Sequence, residues 1–169
     1  MDHLWSPWRY QYVTSHASAA DSQSAQQSCF FCVKAQFYSE QADFVLFRGQ
    51  FSYGLLNIYP YTNGHLMIAP YEHVASLSAC SEDACHEIMR FARLAEANLQ
   101  AIYHCDGLNL GFNIGSVAGA GVAGHIHLHV LPRWNGDANF MTVIGETRIH
   151  PEALQVTYEK LRAASGADA

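Results

Sequence analysis

The stretch His125-Ile126-His127-Leu128-His129-Val130-Leu131-Pro132-Arg133 alternates an imidazole with an aliphatic side chain through its first six residues. Side chains of a strand point to alternate faces. The spacing therefore predicts a strand over 125–133 with three histidines on one face, successive ones about 6.6–6.8 Å apart, and Ile126, Leu128 and Val130 on the other, against a helix or core. One histidine on a half-buried strand is ordinary surface polarity, but three in register are hard to explain by packing. Two chemistries suit the array. A His-x-His pair on a strand seats a zinc ion. Alternatively, the middle imidazole attacks as a nucleophile while a neighbour orients or protonates. The two coexist if different histidines take different roles.

Working outward, VAGAGVAG at 117–124 is a glycine loop and LNLGFNIG at 108–115 reads as another strand. Ser81 is placed to cap a helix whose first turn holds Glu82 and Asp83. From there to about Tyr103, the apolar residues Ile88, Phe91, Ala92, Ala95 and Leu99 fall at helical spacing. Earlier come three runs of strand composition, FVLFRG at 44–49, FSYGLLNIYP at 51–60 and HLMIAP at 65–70. Gly49-Gln50 separates the first two at hairpin spacing, and YPYTNG at 59–64 is a turn by its Pro, Asn and Gly. A terminal helix is predicted over 151–164, with Pro151 at its start. Strands joined by hairpins, one long inserted helix and one terminal helix indicate an α+β fold with an antiparallel sheet of about five strands. Residues 1–28 read as an N-terminal extension. Its aromatic, proline-broken start at 1–12 is too apolar to leave in solvent, and its small polar stretch at 15–28 is a flexible loop. Residues 29–169 form a single domain.

Half of the 169 residues are apolar, enough for a sizeable core. The formal charge of −6 argues against nucleic acid as a partner, while leaving room for a small phosphorylated ligand in a locally favourable field. No apolar run reaches the ~20 residues that span a bilayer, and the first residues do not form a secretory signal, so a cytoplasmic location without membrane contact is expected.

Five cysteines, an odd number, and a reducing compartment argue against a disulfide framework. Cys80, Cys85 and Cys105 read as packing residues. Cys29 and Cys32 form the one close pair. Cys-x-x-Cys is half of many zinc sites and also a redox motif, but the redox reading needs a βαβ neighbourhood where this chain has antiparallel-looking strands. Two ordinary thiols are the third reading. A structural zinc needs four ligands, and His73 and His125 are the candidates for the other two. A different metal reading would make His125, His127 and His129 all ligands of one hydrolytic ion, leaving the two cysteines without partners. His3, His16, His86, His104 and His150 are read as surface or core residues. A half-exposed sheet with an edge strand, beside a long apolar helix, needs cover, so a homodimer is expected.

The words HIHLHVL, NIGSVAGAGVAG and Asn57, placed eight residues before His65, resemble the histidine triad superfamily of nucleotide hydrolases and transferases over most of residues 43–145. LWSPWR, LNIYPYTNGHLMIAPYEHV and PRWNGDANFMTVIG are similar to its bacterial diadenosine tetraphosphate phosphorylase branch. The resemblance implies that His127 attacks the α-phosphorus of a nucleotide to form a covalent nucleotidyl-histidine, later attacked by phosphate or water. It implies that His129 assists the leaving oxygen, that Asn57 meets the ribose and that the 115–124 loop meets phosphate oxygens. Asn113 and Ser116 flank that loop as further phosphate contacts, or as plain strand-end and turn residues, and His65 lies near the nucleotide or simply packs. The chain departs from the pattern at Gly121, where related proteins commonly place a polar side chain. The resemblance also implies one structural zinc held by Cys29, Cys32, His73 and His125, and a two-fold dimer joined through the long helix and adjacent strand. Arg133 falls on the His129 face if the strand continues past Pro132, and there its planar fork suits the acceptor phosphate. Alternatives within the same superfamily are dinucleoside polyphosphate hydrolysis and phosphoramidase activity; PRWNGDANF weighs against the latter.

Overall fold

A computed structural model describes residues 29–36, 42–147 and 150–165. The 1–28 extension lies outside the described residues. The chain runs through helix α1 (Phe30–Gln36), strands β1 (Val45–Arg48), β2 (Ser52–Leu56) and β3 (Leu66–Pro70), and the long helix α2 (Glu82–Tyr103). Strands β4 (Gly107–Phe112) and β5 (Leu128–Arg133), the short helix α3 (Phe140–Val143) and helix α4 (Leu154–Ser165) follow. The five strands form one antiparallel sheet in the order β1-β2-β3-β5-β4, so β5 inserts between β3 and β4. The α+β reading holds. Among the described residues, no helix is long and apolar enough to cross a membrane.

The sheet is covered on both faces. Leu66 and Ile68 of β3 and Leu128 and Val130 of β5 point to one side, where they pack with Ile88, Phe91, Ala92, Ala95 and Leu99 of α2 and Tyr158 and Leu161 of α4. That apolar stripe is the one the helical spacing predicts. Ser81 caps α2 by accepting the Ala84 N–H at 3.3 Å, and the helix ends where His104 turns left-handed at φ 47°. On the other side, Tyr53, Leu55, Met67 and Ala69 pack against Cys29, Phe31 and Cys32 of the α1 segment. Three hydrogen bonds from the strands dock α1. The Tyr53 hydroxyl donates to the Phe31 carbonyl at 2.6 Å, and Arg48 donates to the Lys34 and Ala35 carbonyls at 3.1 Å each, satisfying the helix's C-terminal end.

Several boundaries differ from the sequence reading. The strand read over 108–115 spans Gly107–Phe112, because its pairing with β5 ends at Phe112↔Leu128. The strand read over 125–133 begins at Leu128, because its pairing with β3 stops at Ile68↔Leu128 and the Ile126 N–H goes to the Val74 carbonyl at 2.7 Å. Strand β2 ends at Leu56 rather than running to 60, because the Asn57 side chain accepts the Tyr59 N–H at 2.9 Å and turns the chain. The terminal helix starts at Leu154, not Pro151. Ala153 accepts the first N–H groups, from Val156 and Thr157, while Tyr103, Thr157 and Lys160 all donate to the Glu152 carboxylate and fix the preceding turn.

Gly49–Phe51 form the β1–β2 turn, and Glu87 of α2 grips it. The Glu87 carboxylate accepts from the backbone N–H groups of Gln50, Phe51 and Ser52 at 2.7–3.0 Å and from the Ser52 hydroxyl at 2.7 Å. Burial pushes the Glu87 carboxyl up, but the bonds from Ser52, Phe51 and Gln50 outweigh it and hold the carboxyl below its ordinary value. Glu87→Ala strands three backbone donors, so a loss of about 2–3 kcal/mol is expected in urea unfolding. A group with a lowered folded pKa stabilises above its unfolded pKa and loses that contribution as pH falls through the folded value. The gap between wild type and variant should therefore be full at pH 7 and shrink below about pH 4.3, the ordinary glutamate value. A gap that does not change between pH 7 and pH 3 would contradict this role.

Candidate active site and metal centre

The two thiols and two imidazoles proposed as metal ligands come together. The donor atoms of Cys29, Cys32, His73 and His125 all lie within 4.8 Å of one another. His125 Nδ1 is 3.5 Å from each Sγ, and His73 Nδ1 is 3.2 Å from Cys32 Sγ. Sulfur and nitrogen ligands of a tetrahedral zinc stand ~2.3 and ~2.0–2.1 Å from the ion and hence about 3.5 Å from each other. The cluster thus has the donor set and spacing of a closed zinc site. Its orientation also fits. The Pro70 carbonyl, 2.9 Å from His125 Nε2, can only accept, so Nε2 carries the proton and the Nδ1 lone pair faces the thiols. Burial and the adjacent Cys29 push the Cys32 thiol up to about 12, an environment in which a cation is what makes thiolate favourable.

The three histidines of the 125–129 run do not converge on one centre, which disfavours a triad-held hydrolytic metal. They are also buried, at 0, 4 and 7% exposure, rather than on an open face: Phe31 of the α1 segment packs on His125 and His127, and Tyr61 and His65 pack beside His129. The Phe31 ring centroid lies 4.5 Å from that of His127 and 5.1 Å from that of His125.

Backbone groups set each tautomer. His127 Nδ1 is 2.8 Å from the carbonyl of His125, so Nδ1 carries the proton and Nε2 the lone pair. A second chain of bonds begins at the Tyr61 backbone, whose N–H donates to His65 Nδ1 at 3.1 Å. His65 must then be protonated at Nε2, which lies 2.9 Å from His129 Nδ1. His129 Nδ1 accepts, leaving its Nε2 as an N–H. Burial lowers the pKa of His127, and burial followed by the nearby His127 lowers that of His129 to about 4, so both imidazoles are neutral at pH 7. The geometry therefore presents a nucleophilic nitrogen next to an N–H donor, with ring centroids 4.8 Å apart.

Asn57 joins this group through its Nδ2, 3.4 Å from His65 Nδ1. Gly64 holds the approach to His65 at φ +77°, where a Cβ would meet Leu99 at 3.0 Å. Asn113 follows Phe112, which pairs with Leu128, so the loop leaves β4 beside the histidine segment; Ser116 opens a one-turn 3-10 helix in it. Arg133 lies on the His129 face, as its even spacing predicts, and β5 does run through Pro132. That proline sits beyond the last β3–β5 pair, Leu66↔Val130, where no ladder N–H is needed. Four strand residues separate the two backbone positions by ~13 Å. The guanidinium is held by Asp137 at 2.5 and 2.8 Å and by Asn109 at 2.7 Å. His86, His104 and His150 are exposed. Phe31 and Tyr61 escaped the sequence reading. Phe31 sits inside the Cys-x-x-Cys word, and Tyr61 acts through a backbone N–H that no side-chain motif reveals.

The HIT domain family matches residues 38–136. The AP-4-A phosphorylase of Mycobacterium tuberculosis is 35% identical over 157 residues, covering 93% of this chain and 80% of that protein. Among solved structures, a Zn-bound histidine triad family protein from Mycobacterium smegmatis superimposes with a TM-score of 0.67 at 27% identity, covering 84% of this chain and 96% of that one.

Proposed function

The chain belongs to the HIT domain family, a nucleotide-handling enzyme of that kind, and from this premise we propose that it cleaves dinucleoside polyphosphates through a covalent nucleotidyl-His127, with inorganic phosphate as acceptor. The observation that carries this reading is the pair of opposite tautomers: a lone pair on His127 Nε2 beside an N–H on His129 Nε2. His127 Nε2 attacks the α-phosphorus, the bond from that phosphorus to the bridging oxygen breaks, and the His129 Nε2–H donates a hydrogen bond to the leaving oxygen, which departs as the polyphosphate anion. His65 holds His129 in the tautomer this needs. A phosphate oxygen then attacks the same phosphorus, releasing a nucleoside diphosphate and restoring His127. Asn57 meets the ribose, and Asn113, Ser116 and the glycine-loop backbone meet non-bridging oxygens, since phosphoryl transfer depends mostly on positioning and charge stabilisation. Arg133 meets the acceptor phosphate with N–H groups that Asp137 and Asn109 do not take.

Zinc on Cys29, Cys32, His73 and His125 supplies bonds that tie α1 to the segment preceding β5, a structural rather than a reacting role. A two-fold dimer through β4 and α2 completes the reading. Strand β4 is a sheet edge, and Leu110 on it and Met89 on α2 are exposed at 43 and 53%.

Product analysis tests the reaction class. Diadenosine tetraphosphate with inorganic phosphate should give ATP and ADP. ATP and AMP formed without dependence on phosphate would make the protein a hydrolase, and no cleavage at all would overturn the reading.

A further inference from the structure

Two thiols that are not part of the candidate metal centre meet at the head of α2. Ser81 is the N-cap, so Cys80 stands one residue before the cap and Cys85 is the fourth residue of the helix. Side chains at these two positions pack across a helix entrance and fix the angle at which the chain arrives. Hydrophobic residues commonly fill them; here both are cysteines. The cap that brings them together is in place. The Cys85 N–H donates to the Ser81 carbonyl at 3.0 Å, and the Ala84 N–H donates to the Ser81 hydroxyl at 3.3 Å. Glu72 steadies the preceding loop by accepting the Ser81 N–H at 3.0 Å.

The sequence reading treats Cys80 and Cys85 as packing residues, and they pack on each other. Burial, followed by a hydrogen bond with the Cys85 thiol, pushes the Cys80 thiol up to about 12. This pair differs from Cys29 and Cys32 in access. Those two thiols are buried and share their space with His73 and His125, whereas Cys80 and Cys85 are each half-buried. A small reagent in solution therefore reaches the α2 pair more readily than the α1 pair.

We infer that Cys80 and Cys85 form a reversible intrachain disulfide, a modification site that ties the head of α2 to the thiol–disulfide balance around the protein. The oxidant is a small-molecule disulfide. The Cys85 thiolate attacks one of its sulfurs, the external S–S bond breaks and one small thiol leaves. Cys80 then gives up its proton and attacks the Cys85 sulfur of the mixed disulfide, releasing the second small thiol. One external disulfide is reduced to two thiols while two protein thiols are oxidised to one disulfide. Cys85 attacks first because Cys80, held protonated by its surroundings, is the poorer nucleophile at pH 7. Under reducing conditions the pair is open, and it closes as oxidised small thiols accumulate. Closure ties the end of the loop between β3 and α2, which carries His73, to the first turn of the helix.

Peptide mapping of the whole protein tests this. Cleavage after Lys and Arg places Cys80 and Cys85 together in the 49–90 peptide, apart from Cys29 and Cys32 in 10–34 and Cys105 in 94–133. The folded protein is equilibrated with a large excess of oxidised over reduced glutathione, then denatured and alkylated. The 49–90 peptide should emerge unalkylated and lighter by two hydrogens. Dithiothreitol before alkylation should restore two reactive thiols. Cys80→Ser should instead keep one glutathione on Cys85, because the thiol that resolves the mixed disulfide is gone. A wild-type 49–90 peptide alkylated at both cysteines, or carrying glutathione on both, overturns the proposal. Backbone amide exchange reads the consequence for the helix. Exchange at Ala84 and Cys85 should slow about severalfold in the oxidised protein, since the bond holds the first turn closed. Unchanged exchange at both amides overturns the link to α2.

Discussion

His127→Ala should lower turnover of diadenosine tetraphosphate by about a thousandfold or more while leaving the fold and nucleotide binding intact. The expectation follows from the nitrogen's singular position. It is the imidazole whose Nδ1–H is committed to a backbone carbonyl, so that its lone pair points outward from a buried ring. Removing a nucleophile removes the covalent route itself, whereas removing a hydrogen-bond donor to the leaving oxygen weakens one step. His129→Ala should therefore be milder, about 10²–10³-fold. Labelled substrate quenched in denaturant provides the sharper check. Wild type should carry label on the protein, His129→Ala should accumulate it if loss of label becomes slower than its formation, and His127→Ala should carry none. A His127→Ala protein that keeps more than a few per cent of activity would remove the covalent mechanism.

Loss of the metal centre should be the largest stability effect. Cys29 and Cys32 start α1, whereas His73 follows β3 and His125 precedes β5, so one ion would close loops of 93 and 96 residues from the thiols to His125. Elemental analysis should find about one zinc per chain. Cys29→Ser should lose it and melt lower by on the order of 10 °C, the shift that several kcal/mol produce in a domain of this size. Chelation of wild type should reproduce the shift. Metal-free wild type that melts at the same temperature as the zinc-bound form would exclude the structural role. The same centre packs Phe31 on His127, so a slower chemical step in Cys29→Ser is expected as a secondary consequence of α1 loosening.

Much of this architecture was legible in residue order. The alternation across 125–130 places all three imidazoles on one side and Leu128 and Val130 on the other, and that division survives although the hydrogen-bonded strand begins only at Leu128. The cap at Ser81 and the stripe from Ile88 to Leu99 define α2 nearly to the residue. Cys29 and Cys32 could be named because the chain contains one close cysteine pair, whereas the choice of His73 and His125 among ten histidines followed the family resemblance. Local rules were less successful at the ends of elements. Asn57 stops β2 through its own side chain, and Glu152 organises the turn that delays α4 beyond Pro151.

The sequence by itself determined the faces, the long helix and the thiol half of the candidate metal site, because each depends on side-chain type and a short spacing. Tertiary structure alone decided the chemical state of the site. The proton positions on His125, His127 and His65 are set by the Pro70 carbonyl, the His125 carbonyl and the Tyr61 N–H, backbone groups whose placement depends on how β3, β5 and the turn before His65 assemble. Phe31 of α1, a helix anchored by Tyr53 and Arg48 from the strands, packs on His127, while Tyr61 and His65 pack beside His129, and burial holds both imidazoles neutral. Arg133 shows the same division: its face followed from even spacing, but its pairing with Asp137 and Asn109 required the turn after β5 and the neighbouring strand to come together. Periodicity is a property of neighbouring residues, whereas a tautomer, a depressed pKa and a matched charge depend on partners that only folding brings within hydrogen-bond range.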